Sequence, residues 1–173
     1  ETGWGVAAAI PELSSDRALE LRAGSDPVIY PPMPELPDVE IYRERLLARL
    51  RGATLARVRL KSPFVLRSVK PPLSALFGLG LRDVQRMGKR LVLVFDDELF
   101  LVVHLMIAGR FHWKPEGAAI PGRLGLAAFD FESRGTLMLT EASQKKRASI
   151  HVVQGERALA EFDRGGLEVL NAS

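Results

Sequence analysis

Along this chain the spacing of apolar side chains changes from helical to alternating and then to nearly continuous, and each change marks a structural element. From residue 37 to about 51, Val39, Tyr42, Leu46, Leu47 and Leu50 form one apolar face with arginines opposite, the pattern of an amphipathic helix. Pro37 suits its first turn, where a missing N–H costs nothing, and Asp38 and Glu40 put negative charge at the positive end of the helix dipole. Gly52 punctuates, and residues 54–60 then alternate apolar with basic, as a half-buried strand does with its arginines facing out. Ser62-Pro63 breaks that strand. Residues 64–70 are expected as a short edge segment ended by Pro71-Pro72, and residues 73–79 fit either a short helix or a loop.

Beyond Gly80 the pattern is β. Strands are expected at 81–87, 90–95 and 99–105, the last two as a hairpin across Asp96-Asp97. A strand through Phe111 to Trp113 precedes a turn at Lys114-Pro115-Glu116-Gly117. A second hairpin joins 124–131 to 136–140 around Ser133-Arg134-Gly135, and a last strand covers 148–153. Residues 156–162 are helical in pattern and Gly165-Gly166 stops them. Strands this apolar imply burial on both faces. The expected fold is therefore mainly β with flanking helices, a β-sandwich with an N-terminal helix.

Composition narrows the class. With 173 residues and 47% hydrophobic content the chain can bury one sizeable core. It has no cysteine, which excludes disulfides and any thiolate zinc site within it. No run of about 18 apolar residues suggests a spanning helix, and the start lacks the basic and apolar regions of a signal peptide, so an intracellular, cytoplasmic protein is expected. Charge is unevenly placed: residues 1–33 carry a net −3, leaving +6 on the rest of an overall +3. Such a surplus suits a polyanion partner. Residues 1–33, with four prolines and only a short helical pattern at 14–21, are expected to form a poorly ordered extension.

One stretch resists a purely structural account. Met33-Pro34-Glu35 precedes the helix without being needed to start it. Were Pro34 the first residue of a chain, it would be a free secondary amine beside a carboxylate. An α-amino group titrates at roughly 7.7 to 8, so part of it would be nucleophilic near neutral pH. Within a longer chain the same Pro34 is a tertiary amide with no lone pair to offer, part of a Pro-rich turn into the helix.

Met33-Pro34-Glu35-Leu36-Pro37-Asp38-Val39-Glu40 resembles the amino terminus of the formamidopyrimidine-DNA glycosylase and endonuclease VIII family, and the resemblance extends to about Leu170. It implies base-excision repair enzymes acting on double-stranded DNA that holds a damaged base or an abasic site, with an N-terminal proline as nucleophile. On that basis Pro34 attacks the sugar C1′, Glu35 moves protons beside it, and Lys89 in Gln85-Arg86-Met87-Gly88-Lys89-Arg90 assists β-elimination. His104-Leu105-Met106-Ile107-Ala108-Gly109-Arg110 is similar to the family's His-Leu-Gly-Met-Ser/Thr-Gly segment, whose methionine fills the hole left by a flipped base. Ile107 occupies that slot here, with Met106 before it and Arg110 after it as DNA contacts. Thr140-Glu141-Ala142-Ser143-Gln144-Lys145-Lys146-Arg147-Ala148 stands where the family has Asp-Pro-Arg-Arg-Phe-Gly, making Lys145, Lys146 and Arg147 DNA-binding candidates.

The resemblance implies no metal or organic cofactor for the chemistry. Many members hold a structural zinc in a four-cysteine finger after a helix-two-turn-helix module, and neither region is expected within these 173 residues. The expected organisation is an extension at 1–33 and a catalytic domain at 34–170, acting as a monomer. With 33 residues ahead of Pro34, the chain as written is expected to give no covalent adduct with abasic-site DNA. The alternatives are a catalytically inactive DNA-binding or interaction module, and a sandwich with no nucleic-acid role. In those readings Lys89 is a solvated strand entry, His104 a core histidine, and residues 140–148 a charged surface loop.

Overall fold

The computed structural model describes residues 36–163. Helix α1 (Leu36–Leu50) is followed by eight strands: β1 (Leu55–Leu60), β2 (Leu81–Met87), β3 (Arg90–Phe95), β4 (Leu99–His104), β5 (Gly109–Lys114), β6 (Gly125–Phe131), β7 (Gly135–Glu141) and β8 (Ser149–Gln154). Residues 156–163 form helix α2. The strands make two antiparallel four-stranded sheets, ordered β1-β6-β7-β5 and β2-β3-β4-β8. This is the mainly β sandwich that the apolar pattern predicts. The proposed extension at 1–33, together with Pro34 and Glu35, lies outside the described residues.

The sheets face each other across a core that includes Leu55, Leu91, Leu93, Phe95, Leu101, Phe129, Phe131 and Leu139. The continuous apolar run of β4 has a direct cause: both its faces are covered. Leu101 and Val103 enter the central core, whereas Phe100 and Val102 join Val92 and Val153 beneath Ala158, Leu159 and Phe162 of α2. On the outer face of the other sheet the connection between β5 and β6 crosses the strands. Gly117 N–H donates to the Thr136 hydroxyl at 2.9 Å. Ile120 lies so close over Gly125 that a Cβ there would meet it at 2.2 Å.

Helix α1 closes one open side of the sandwich, between edge strands β5 and β2. Val39, Tyr42, Leu46 and Leu50 are buried in the core. The Tyr42 ring stands edge-on to Phe111 at 5.7 Å, and its hydroxyl accepts the Phe111 N–H at 3.4 Å. Arg49 lies 4.1 Å over the Trp113 ring, and burial lowers the pKa of its guanidinium. Toward β2 the helix reaches Arg86 through Glu40 and Asp83 through Arg51.

Residues 61–80 close the opposite side, in a form that corrects one expectation. The edge strand at 64–70 does not form: Pro63–Val65 is a 3-10 turn, and Leu66 makes a single parallel bridge to Ile150. Prolines at 63, 71 and 72 withhold the N–H groups a ladder needs. The segment is pinned instead by buried Val65 and by Ser68, whose hydroxyl accepts the Val152 N–H at 2.8 Å. Leu73–Leu76 is a short 3-10 helix, which decides between helix and loop there. No helix among the described residues is long and apolar enough to cross a membrane.

Candidate functional site

Strand register brings the separate sequence candidates to one end of the sandwich. In the second sheet Arg90 pairs with His104 and His104 with Ser149, so the β2–β3 turn, the end of β4 and the start of β8 lie in one row. In the first sheet Gly109 pairs with Glu141, and Thr140 faces both Arg110 and Gly125. The short connection 105–108 and the loop 142–148 join these two rows. Both connections therefore sit at the end that carries the Gly88-Lys89 turn.

Lys89 is exposed at the tip of that turn, following Gly88 in the left-handed region at φ 65°. Residue 86 connects the turn to the start of α1. Arg86 Nε donates to Glu40 Oε1 at 3.2 Å, and its Nη1 donates to the Gly88 carbonyl at 3.2 Å. Arg43 Nε donates to the other Glu40 oxygen at 2.7 Å. Arg43, aided by Arg86, holds the Glu40 carboxyl below the usual carboxylate range. The first turn of α1, which directly follows Pro34-Glu35 in sequence, is thus tied to the Lys89 hairpin.

Ile107 is 41% exposed on the β4–β5 connection, and the preceding Met106 is half-buried at φ 58°. The tightness of this connection explains Gly109: a Cβ there would lie 2.3 Å from the Leu105 carbonyl oxygen. Arg110, singled out as a DNA contact, turns back on its own connection. Its Nη1 donates to the Gly109 carbonyl at 2.7 Å and to that of Ile107 at 3.3 Å.

The loop 142–148 is organised by Glu141, a residue whose role the cationic pattern did not signal. Its side chain is buried, and Oε1 accepts the N–H groups of Arg147 at 2.7 Å and Ala148 at 3.1 Å. Its carbonyl accepts Lys146 Nζ. Of the three cations, Lys146 is consequently half-buried against the loop, while Lys145 and Arg147 are exposed. The sequence signal for Glu141 was a lone carboxylate immediately before a cationic run, at the end of an apolar strand.

His104 lies among these elements. Burial, followed by the positive charges of Arg90 and Lys89, pushes its pKa down to about 4. At neutral pH it is an uncharged imidazole that can donate or accept one hydrogen bond. Among the described residues no group of three or more His, Cys, Asp or Glu side chains could hold a metal ion.

A two-sheet sandwich closed by one helix, with an exposed apolar residue and several lysines and arginines gathered on loops at one end, defines the class. The chain belongs to the formamidopyrimidine-DNA glycosylase N-terminal domain family, whose model matches residues 33–150. A formamidopyrimidine-DNA glycosylase of Heliobacterium modesticaldum is 33% identical over 138 residues, covering 78% of this chain and 50% of that protein. One of Phenylobacterium zucineum is 41% identical over 98 residues, covering 55% and 34%. The chain spans about half the length of the first of these relatives and less of the second. The crystal structure of Lactococcus lactis formamidopyrimidine-DNA glycosylase, non-covalently bound to DNA containing an abasic site, has the same fold. Its TM-score is 0.66 at 22% identity, over 74% of this chain and 48% of that one. MutM in complex with DNA containing carbocyclic 8-oxo-G gives 0.66 at 23% identity, over 75% and 47%.

Proposed function

We propose that residues 34–170 are the catalytic domain of a base-excision repair DNA glycosylase with lyase activity, acting on duplex DNA that carries an oxidised base or an abasic site. The observation that carries this reading is the convergence at one end of the sandwich. The start of α1, the Lys89 turn, the Ile107 connection and the Lys145–Arg147 loop come from distant parts of the chain and share that end. Family membership and the DNA-bound state of the solved relatives support it.

In this reading Pro34, as a free secondary amine, attacks C1′ of the damaged nucleotide. The glycosidic bond breaks, the base leaves with a proton delivered by Glu35, and the sugar ring opens to an iminium. Loss of a C2′ proton then expels the 3′ phosphate, with Lys89 at hand to carry protons and hold phosphate; water hydrolyses the iminium and restores the amine. Ile107 enters the gap left by the extruded nucleotide, and Lys145 and Arg147 hold the backbone opposite. Extrusion costs a few kcal/mol, which these contacts offset. No step needs a metal.

The nucleophile exists only where the bond between Met33 and Pro34 is open. A chain in which Pro34 remains acylated binds DNA without reacting, and this is the second reading: a DNA-binding module of the same fold. Borohydride trapping on abasic-site DNA decides between them. The full 173-residue chain should give no adduct, whereas a chain beginning at Pro34 should give one that is lost when the Pro34 nitrogen is acetylated. An adduct on the uncut chain, or its persistence once that nitrogen is blocked, would overturn the assignment.

A further inference from the structure

The 61–70 segment, which the proposed chemistry does not use, carries two of the most exposed large apolar side chains among the described residues: Phe64 at 79% and Val69 at 84%. Single exposed apolar residues are common on proteins and need no explanation. Here the surrounding chemistry is one-sided. Residues 61–80 include Lys61, Arg67 and Lys70 and no acidic residue. Lys61 and Arg67 are both exposed.

The segment is also held in place. Lys61 and Ser62 N–H groups donate to the Leu126 carbonyl at 2.9 and 3.3 Å, and Arg67 N–H donates to the Ile150 carbonyl at 2.9 Å. Val65 is buried between Phe64 and Arg67. Arg67 Nε donates to the Phe64 carbonyl at 2.6 Å, which sets the guanidinium beside the turn that carries the exposed ring. Side chains displayed from an anchored turn lose less entropy on binding than those on a loose loop.

Its position selects the partner. Lys61 follows β1 at the end where Gly125 and Glu141 lie, and Leu66 bridges to Ile150, next to the Arg90–His104–Ser149 row. Counting across β3, β4 and β8, Arg67 stands three ladder spacings from Arg90, about 15 Å. At about 3.4 Å per base pair this corresponds to roughly four base pairs along a duplex. We infer that the turn around Phe64 is a second DNA-backbone contact, in which Lys61 and Arg67 hold phosphates flanking the damaged nucleotide and Phe64 lies against the adjoining sugars. The inference rests on the reading of the cationic end as a DNA site.

The test is the salt dependence of binding of the full chain to a duplex of about 20 base pairs with a central abasic-site analogue. Each phosphate contact contributes about 0.9 to the slope of log K against log salt. The K61A/R67A double variant should flatten that slope by about 1.8, and Phe64→Ala should weaken binding several-fold at unchanged slope. A wild-type slope in K61A/R67A would overturn the inference while leaving the proposed site standing. Unchanged affinity in Phe64→Ala would remove the ring from the contact. Absence of duplex binding by the wild-type chain at low salt would overturn the underlying reading and this inference together.

Discussion

Glu141 shows how a single buried carboxylate can determine what three neighbouring cations are able to do. Replacing it with Ala leaves the Arg147 and Ala148 N–H groups without their acceptor, and should cost about 3 kcal/mol in urea unfolding. Glu141→Gln keeps an acceptor oxygen and should lose distinctly less. Gly109→Ala should destabilise by about 3 kcal/mol or more, because the new Cβ meets backbone that cannot swing aside. His104 supplies a pH test. Its folded pKa of about 4 lies below the ordinary 6.5, so between those values the unfolded chain binds more protons. Stability should therefore fall as pH drops from about 6.5 toward 4, by less than a full proton's worth because the ring is only half-buried. His104→Gln should flatten that part of the urea-midpoint profile, and an unaltered profile would contradict the assignment. At this scale the sequence reveals residue types but not where they point. Lys145, Lys146 and Arg147 look alike in the chain, and only the fold turns Lys146 inward. Arg110 likewise reads as a free cation, yet it bonds its own turn.

Elements were more legible than side-chain directions, because burial leaves a periodic trace. The amphipathic stripe of α1 and the apolar runs of β3, β4 and β6 predict their elements to within a few residues, and α2 follows the helical pattern after Gln154. The stretch at 61–80 was harder to read, since its order depends on neighbours: isolated bonds to Leu126, Ile150 and Val152 hold it, and none leaves a period. Asp130 illustrates how a strand can be fixed through its polar face. Arg57 and Arg59 each donate to its carboxylate at 2.8 Å, and the Thr136 hydroxyl donates as well, linking β1, β6 and β7. Burial alone would raise the carboxyl pKa, but hydrogen bonds from Arg59, Thr136 and Arg57 outweigh it and bring it below the usual value. This contribution is present above the unfolded pKa of about 3.8 and is lost as pH falls through the lower folded value. Asp130→Ala should cost about 3 kcal/mol and loosen β1, detected as faster exchange of the β1 amides that bond β6.

Among the described residues, exposed cations gather at the end bearing Lys89, Arg147 and Lys61, while the far end mixes the Asp96–Glu98 turn and Glu132 with Arg134 and with Arg82, which pairs with Asp96 at 3.8 Å. A field of this kind orients a polyanion before contact. Charge reversal at the far end, as in Glu132→Lys, should leave the slope of log affinity against log salt within about 0.5 of wild type, whereas K145A/R147A should flatten it by about 1.8. The overall +6 of residues 34–173 suits a polyanion partner without locating a surface for it, because net charge carries no direction.

The Arg43–Glu40–Arg86 relay gives electrolyte a second point of action. Its members are partly exposed, so added ions weaken the tether between the first turn of α1 and the Lys89 hairpin as well as the proposed grip on phosphate. If Pro34, as a free chain start, and Lys89 work as partners, the reaction rate of a chain beginning at Pro34 should decline with ionic strength even at saturating abasic-site DNA. Glu40→Gln should reproduce that decline in dilute buffer.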